Sequence, residues 1–249
     1  MKIISHRGYS SQRPENTISS FDYSLEKGFQ YIEFDIHMTL DGVPVVMHDE
    51  TVDRTTNGSG QIKEMTWNEI KSLDAGSWFN ERFSFEKVPT LEDVLKRYSG
   101  KAHLFIEIKS EETNLMKALR DLLIKYDWLS FSRECSAGDN LAVPGVSVIS
   151  FVPDQIMKAN DILPEVDLGL LLIEPDDSTV MFCVENHVKG YFPYFESLTI
   201  DIVSLAHSKG LYVGTWGMEA AGDLMVPLNL GIDGVTVNWP ESAREFLDK

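Results

Sequence analysis

Glu33 and Asp35 stand two residues apart in the apolar run 31–37, and Glu107 and Lys109 repeat that spacing at the end of the run 103–108. Side chains of an extended chain alternate between two faces, so each pair points to one side. If the two runs are neighbouring strands, three carboxylates and an ammonium converge at one mouth. Three buried carboxylates left unpaired would be prohibitively costly. A hard divalent cation bound through oxygen is the economical partner. Ion pairs with basic residues around the fold are the competing reading; that reading normally wins for a lone acid, but three acids at two adjoining strand ends favour the metal.

Two histidines join this set. His6-Arg7-Gly8 lies just past the run 2–5, and His48-Asp49 follows the apolar run 43–47. Imidazoles flanking a metal suit proton transfer because they titrate near neutral pH. His37 shares Asp35's side and reads as a rim residue at the end of its strand, while His103, His187 and His207 read as solvated loop histidines. Trp216, closing the run 211–215, is of a type more often core than functional, but its place at a barrel mouth makes it a candidate substrate-stacking ring.

The elements that must position these residues alternate along the whole chain. Strand-like runs fall at 2–5, 31–37, 103–108, 146–151, 166–173, 188–192, 211–215 and 234–237, with 43–47 as an extra apolar run. Helical stretches are expected at 14–27, 91–98, 114–126, 154–160, 179–186, 198–208, 219–230 and 241–248. Pro14 reads as the opening helical residue and Gly28 as the terminator of the first helix. Eight strand–helix units in 249 residues favour a single α/β domain over residues 1–249, a (β/α)8 TIM barrel rather than an open doubly wound sheet. Functional groups then belong at the C-terminal ends of the strands. Residues 50–90, rich in Thr, Asn, Gly and Ser, read as an excursion that is neither strand nor long helix.

Composition narrows the function classes. Lys+Arg number 22 against 39 Asp+Glu, a net charge of −17, and the isoelectric point is about 4.7. Nucleic acid requires a basic face, and anionic lipid surfaces recruit Lys/Arg clusters, so neither is an expected partner and no stable membrane association is expected. Two cysteines, Cys135 and Cys183, form neither a disulfide framework nor a CxxC metal or redox pair. The opening MKIISHRGYS lacks a signal-peptide apolar run, which points to a cytoplasmic protein. GxGxxG, P-loop, GxSxG and HExxH motifs are all missing.

Read in order, His6-Arg7-Gly8, Pro14-Glu15-Asn16-Thr17, Glu33-x-Asp35, Thr39-x-Asp41-Gly42, His48-Asp49, Arg54-Thr55-Thr56-x-Gly58, Leu73-Asp74-Ala75-Gly76-Ser77-Trp78, Val88-Pro89-Thr90-Leu91-Glu92 and Ile106-Glu107-Ile108-Lys109 closely resemble the glycerophosphodiester phosphodiesterase family. The match is dense over 3–110 and thins beyond to Ser150-Phe151, Trp216 and Gly231-Ile232-Asp233-Gly234. The resemblance implies a TIM barrel that hydrolyses glycerophosphodiesters to glycerol 3-phosphate and an alcohol. It implies Glu33, Asp35 and Glu107 as metal ligands, His6 and His48 as acid and base, and Arg7 and Lys109 as phosphate contacts. It also implies that 50–90 is a small insertion over the C-terminal mouth of the barrel. Three departures touch the head-group side of the pocket: Arg13, Trp216-Gly217-Met218-Glu219 where Trp-Thr-Val-Asn is usual, and Asn238 where Asp is common.

The expected cofactor is one divalent cation, Mg2+ or Ca2+, and the expected partner a small phosphodiester such as glycerophosphocholine or glycerophosphoethanolamine. Cleavage of lysophospholipids, a lysophospholipase D-type activity, is the nearest alternative. A glycosidase using two of the carboxylates is disfavoured because Arg7 and Lys109 suit an anionic substrate. A binder that had lost its chemistry is disfavoured because both histidines and all three acids are present. No Ser, Cys or Thr stands in a nucleophile signature, so the substrate's own 2-hydroxyl is the expected attacking oxygen, tethered beside phosphorus.

Overall fold

The computed structural model describes residues 1–112, 114–130 and 141–248; Cys135 lies outside them. Among the described residues nine strands form one sheet: β1 (Lys2–His6), β2 (Tyr31–Met38), β3 (Pro44–Val46), β4 (His103–Ile108), β5 (Gly145–Ser150), β6 (Asp167–Leu172), β7 (Gly190–Pro193), β8 (Tyr212–Thr215) and β9 (Gly234–Val237). Eight of them are parallel and close on themselves, β1 pairing with both β9 and β2. The short β3 runs antiparallel to the end of β2 and stands outside the ring. Helices return the chain between barrel strands, giving the expected (β/α)8 barrel.

Two apolar layers hold it. Strand side chains pointing outward meet the helices around Phe34, Leu104, Leu119, Val148, Tyr191 and Val213. Inside the ring, Ile4, Phe105, Ile149, Leu171, Phe192 and Tyr212 fill the barrel. Phe192 is possible only because Gly169, Gly190 and Gly214 surround it: a Cβ at any of the three would lie 2.4–2.5 Å from its ring, closer than real Cβ contacts. Those glycines leave room for a ring that floors the mouth of the barrel.

One expectation needs correction. The first helix begins at Ile18 rather than Pro14, because Thr17 is its N-cap, its hydroxyl accepting from the Ser20 amide. Residues 14–17 are instead a loop folded under Arg7, with Asn16 in the left-handed region at φ 55°. The stretch 50–90 is, as expected, neither strand nor long helix. It carries 3-10 turns at Ile62–Glu64 and Glu81–Phe83, a short helix at Trp67–Ile70, and a core in which Val52, Ile62, Ile70, Ala75 and Val88 pack against Val45 and Met47.

The glycine ring around Phe192 generates a stability prediction. Gly214→Ala should lower the unfolding free energy by about 1–3 kcal/mol through overpacking. Gly222→Ala, at an exposed position where a Cβ meets nothing within 4 Å, should stay within about 0.5 kcal/mol of the parent. Urea denaturation of the two variants checks both.

Candidate active site

Strand register brings the candidate residues together. His6 at the end of β1 lies beside Glu33 of β2, and Asp35 of β2 lies beside Glu107 of β4. After His6 the chain turns sharply: Arg7 has φ 55° and Gly8 φ 78°, and a Cβ on Gly8 would lie 2.4 Å from Ser20 Oγ. Only glycine fits there, and the turn aims the Arg7 amide at Glu33 Oε2, 3.0 Å away. The 14–17 loop then docks on the cluster, Asn16 Nδ2 donating to Asp35 Oδ2 at 2.8 Å and Glu15 accepting from Arg7 Nη1 at 2.8 Å.

Glu33, Asp35 and Glu107 are buried, and each offers an oxygen within 4.8 Å of the others. Glu33 Oε1 and Asp35 Oδ1 are buried without a hydrogen-bond partner. Lys109 donates to Glu107 at 2.8 Å, and Arg7 Nε approaches Asp35 at 3.5 Å. Adding the neighbours Glu15, Asp49 and Arg54, five carboxylates face three cations, a deficit of two positive charges. The electrostatic consequence is visible in the acids. Burial, with the charges of Asp35 and Glu107, pushes the Glu33 carboxyl well above its usual range. Burial and Asp35 raise Glu107 to about 7. Two orphaned oxygens and a two-charge deficit fit a divalent cation held by these three side chains.

The histidines flank the cluster. His6 Nε2 is 3.9 Å from Glu33, and its Nδ1 is 2.7 Å from Asn238 Oδ1, so the amide oxygen places the proton on Nδ1. Burial, aided by Arg7, lowers His6 to about 4, leaving it neutral. His48 Nδ1 donates to Asp49 Oδ1 at 2.7 Å, and its Nε2 lies 3.3 Å from Lys109 Nζ. A cavity of about 200 Å3 joins these groups. Its charged side holds His6, Arg7, Glu33, His48, Glu107 and Lys109, and its apolar side holds Phe105, Ile149, Phe151, Leu171, Phe192 and Trp216. Trp216 is half-buried there, its Nε1 donating to the Phe192 carbonyl and its ring meeting Phe151 edge-on at 5.2 Å.

All eight residues singled out as ligands, acid–base groups or substrate contacts therefore meet around one cavity, except that Asp35 sits just behind its wall. Other assignments change. His37 is not at a rim: β2 runs on to Met38 and pairs with β3, burying the ring so that Nε2–H donates to the His48 carbonyl at 3.1 Å. His103 is no loop histidine; it sits buried on β4, with Nδ1 at 2.7 Å from the Ala142 carbonyl and Nε2 at 2.9 Å from Ser147 Oγ. His207 is exposed on a helix beside Asp233, and His187 is exposed in a left-handed turn. Sequence reasoning gave no role to Glu15, Asn16, Asp49, Arg54 or Asn238, although each stood in or beside a motif that it singled out.

Solved structures share this arrangement of chain. An Oleispira antarctica phosphodiesterase, determined with its product sn-glycerol 3-phosphate, matches with a TM-score of 0.87 at 25% identity, covering 100% of this chain and 97% of that one. A glycerophosphodiester phosphodiesterase from Agrobacterium tumefaciens matches with a TM-score of 0.80 at 27% identity, covering 97% and 98%. Fold and likeness together define a barrel enzyme of the phosphodiesterase class. Residues 6–242 match the glycerophosphoryl diester phosphodiesterase family, and the chain belongs to it. The curated glycerophosphodiester phosphodiesterase of Bacillus subtilis is 33% identical over 96% of this chain and 83% of its own length. That of Caldanaerobacter subterraneus is 32% identical over 99% and 98%. The protein is an enzyme with glycerophosphodiester phosphodiesterase activity.

The crowded acids predict how stability varies with pH. A carboxyl whose folded pKa lies above its unfolded value holds an extra proton in the native state. Its contribution is therefore lost as pH rises from about 4.5 to about 7 for Glu107. His6 and His103, both lowered to about 4, act in the opposite sense below pH 6.5, so the wild-type curve alone mixes the two. Glu107→Gln isolates the carboxyl: in EDTA the variant should gain stability relative to wild type as pH is raised from 5 to 7.5. In saturating Mg2+ or Ca2+ that advantage should vanish. Melting temperatures across the pH series check it.

Proposed function

We propose that this enzyme hydrolyses small, water-soluble glycerophosphodiesters to glycerol 3-phosphate and an alcohol, with His6 and His48 as the proton-transfer pair. The observation that carries the reading is the cavity itself. Glu33 and Glu107, with Asp35 just behind them, share one wall of a 200 Å3 space with the cations Arg7 and Lys109 and two imidazoles. Arg7 and Lys109 supply charge-assisted donors for the non-bridging phosphate oxygens. A Mg2+ or Ca2+ ion on Glu33, Asp35 and Glu107 would neutralise further negative charge on the phosphate when bound.

His6 is neutral and its Nε2 faces the cluster, which suits it to take the proton from the glycerol 2-hydroxyl. His48 has the Asp49 carboxylate behind Nδ1, which fixes its ring with Nε2 toward the cavity and suits it to serve the leaving alcohol. Attack by the 2-hydroxyl forms a cyclic phosphate and releases the head-group alcohol. Water then opens the ring with the histidines in exchanged roles. The cavity is small, about 200 Å3, which favours a compact diester over one that carries an acyl chain.

Four measurements test this. kcat/KM should be higher for glycerophosphocholine than for lysophosphatidylcholine; the reverse order would replace the proposed substrate class with the lysophospholipase D-type alternative. Either histidine changed to Ala should cost at least about 10²-fold in kcat on glycerophosphocholine. With glycerophospho-p-nitrophenol, whose leaving group needs no proton, His48→Ala should recover most of its rate and His6→Ala should not. An analogue lacking the 2-hydroxyl should be nearly inert, and normal turnover of it would exclude the cyclic intermediate.

A further inference from the structure

We propose that Arg54, in the insertion, is a positioning residue that sets the proton-transfer side and the phosphate-binding side of the site together. This rests on the assignment of His48 and Arg7 given above.

The guanidinium bridges two carboxylates that belong to different loops. Its Nε donates to Asp49 Oδ2 at 2.7 Å and its Nη2 to Asp49 Oδ1 at 3.0 Å. Its Nη1 and Nη2 also donate to Glu15 Oε2 and Oε1, at 3.0 and 2.8 Å. Asp49 Oδ1 is the oxygen that receives His48 Nδ1–H, and Glu15 Oε1 is the oxygen that receives Arg7 Nη1. One planar fork therefore stands behind both an imidazole and the cation that faces Asp35. An ammonium could not do this, because it lacks the fixed fork that engages two carboxylates at once.

The shelf that carries Arg54 is well anchored. Val52 is buried in the insertion's core, and Thr56 Oγ1 donates to the Val52 carbonyl at 2.6 Å while accepting the Gly58 amide at 3.0 Å. Arg54 thus transmits the rigidity of the insertion to residues on two barrel loops. Its hydrogen bonds, ahead of all other causes, hold the Asp49 carboxyl well below the usual range. Burial opposes ionisation of Glu15, but Arg54 and Arg7 together bring it down to about 2. Both carboxylates therefore stay ionised as acceptors across the working pH range. The Arg54 side chain keeps 44% of its accessible surface, so a small cation from solvent can reach its place.

The experiment compares wild type, Arg54→Gln, Arg54→Lys, Arg54→Ala, Asp49→Asn and the Asp49→Asn/Arg54→Gln double variant, all checked for folding by their thermal melts. The imidazole of His48, identified by the signal lost in His48→Gln, is followed by nitrogen-edited NMR, and turnover is followed on glycerophosphocholine. Wild type should show a slowly exchanging His48 Nδ1–H signal that Arg54→Gln loses. Arg54→Gln should lose roughly 10- to 100-fold in kcat, the scale expected when reacting groups are misplaced. Arg54→Lys should recover little of it, and guanidinium ion should restore part of the rate to Arg54→Ala. The double variant should be no slower than the worse single one, since both changes break one linkage. An Arg54→Gln protein that keeps the His48 signal, or whose kcat stays within twofold of wild type, overturns the proposal, as do multiplicative losses in the double variant. If wild type releases no glycerol 3-phosphate from any glycerophosphodiester, the proposed function fails. The NMR comparison still decides the role of Arg54.

Discussion

Three carboxylates whose oxygens lie within 4.8 Å of one another, all buried, are the constraint on which the rest of the structure depends. Left alone they would repel strongly and protonate. Arg7, Lys109 and Asn16 each reach in to compensate, and each is carried by a different segment: the turn after β1, the residues after β4, and the loop before the first helix. The compensation is incomplete, leaving two orphaned oxygens and raised pKa values on Glu33 and Glu107. That residual imbalance is one that a bound divalent cation would relieve, and in a chain of net charge −17 an anionic phosphate would depend on such local positive charge together with Arg7 and Lys109.

The insertion has a part in this beyond covering. Its hydrophobic core lets it hold Arg54 in place, and through Arg54 it reaches both Asp49 and Glu15. The barrel provides carboxylates and cations at or just past strand ends, where register is fixed by backbone hydrogen bonds. Loop residues near the histidines have no such register, and side-chain forks take over the task of fixing them. His37 does similar work from below, its ring bonded to the backbone of His48.

The apolar half of the cavity follows from the glycines of β6, β7 and β8. They admit Phe192 into the barrel axis, and Phe192 in turn supports Trp216 through its carbonyl. Asn238 in place of an acid gives His6 a neutral partner, so His6 and His48 differ in what lies behind Nδ1: an amide for one, a carboxylate for the other. That difference is what supports the base and acid roles proposed for the two imidazoles.

Much of this was legible in the chain itself. Period-2 spacing put Glu33 with Asp35 and Glu107 with Lys109, and alternating strand and helix runs implied the closed barrel, because both signals are local and repeat along the sequence. The ordered motifs pointed to the family for the same reason. What the chain did not show were the contacts between segments far apart. The burial of His103 depends on Ala142 and Ser147, the place of His37 on β3, the partner of His6 on a residue 232 positions away, and the reach of Arg54 on two separate loops. A side chain's type and its neighbours in sequence say which bonds it can make. Only closure of the barrel and docking of the insertion bring within 3 Å the group that makes them.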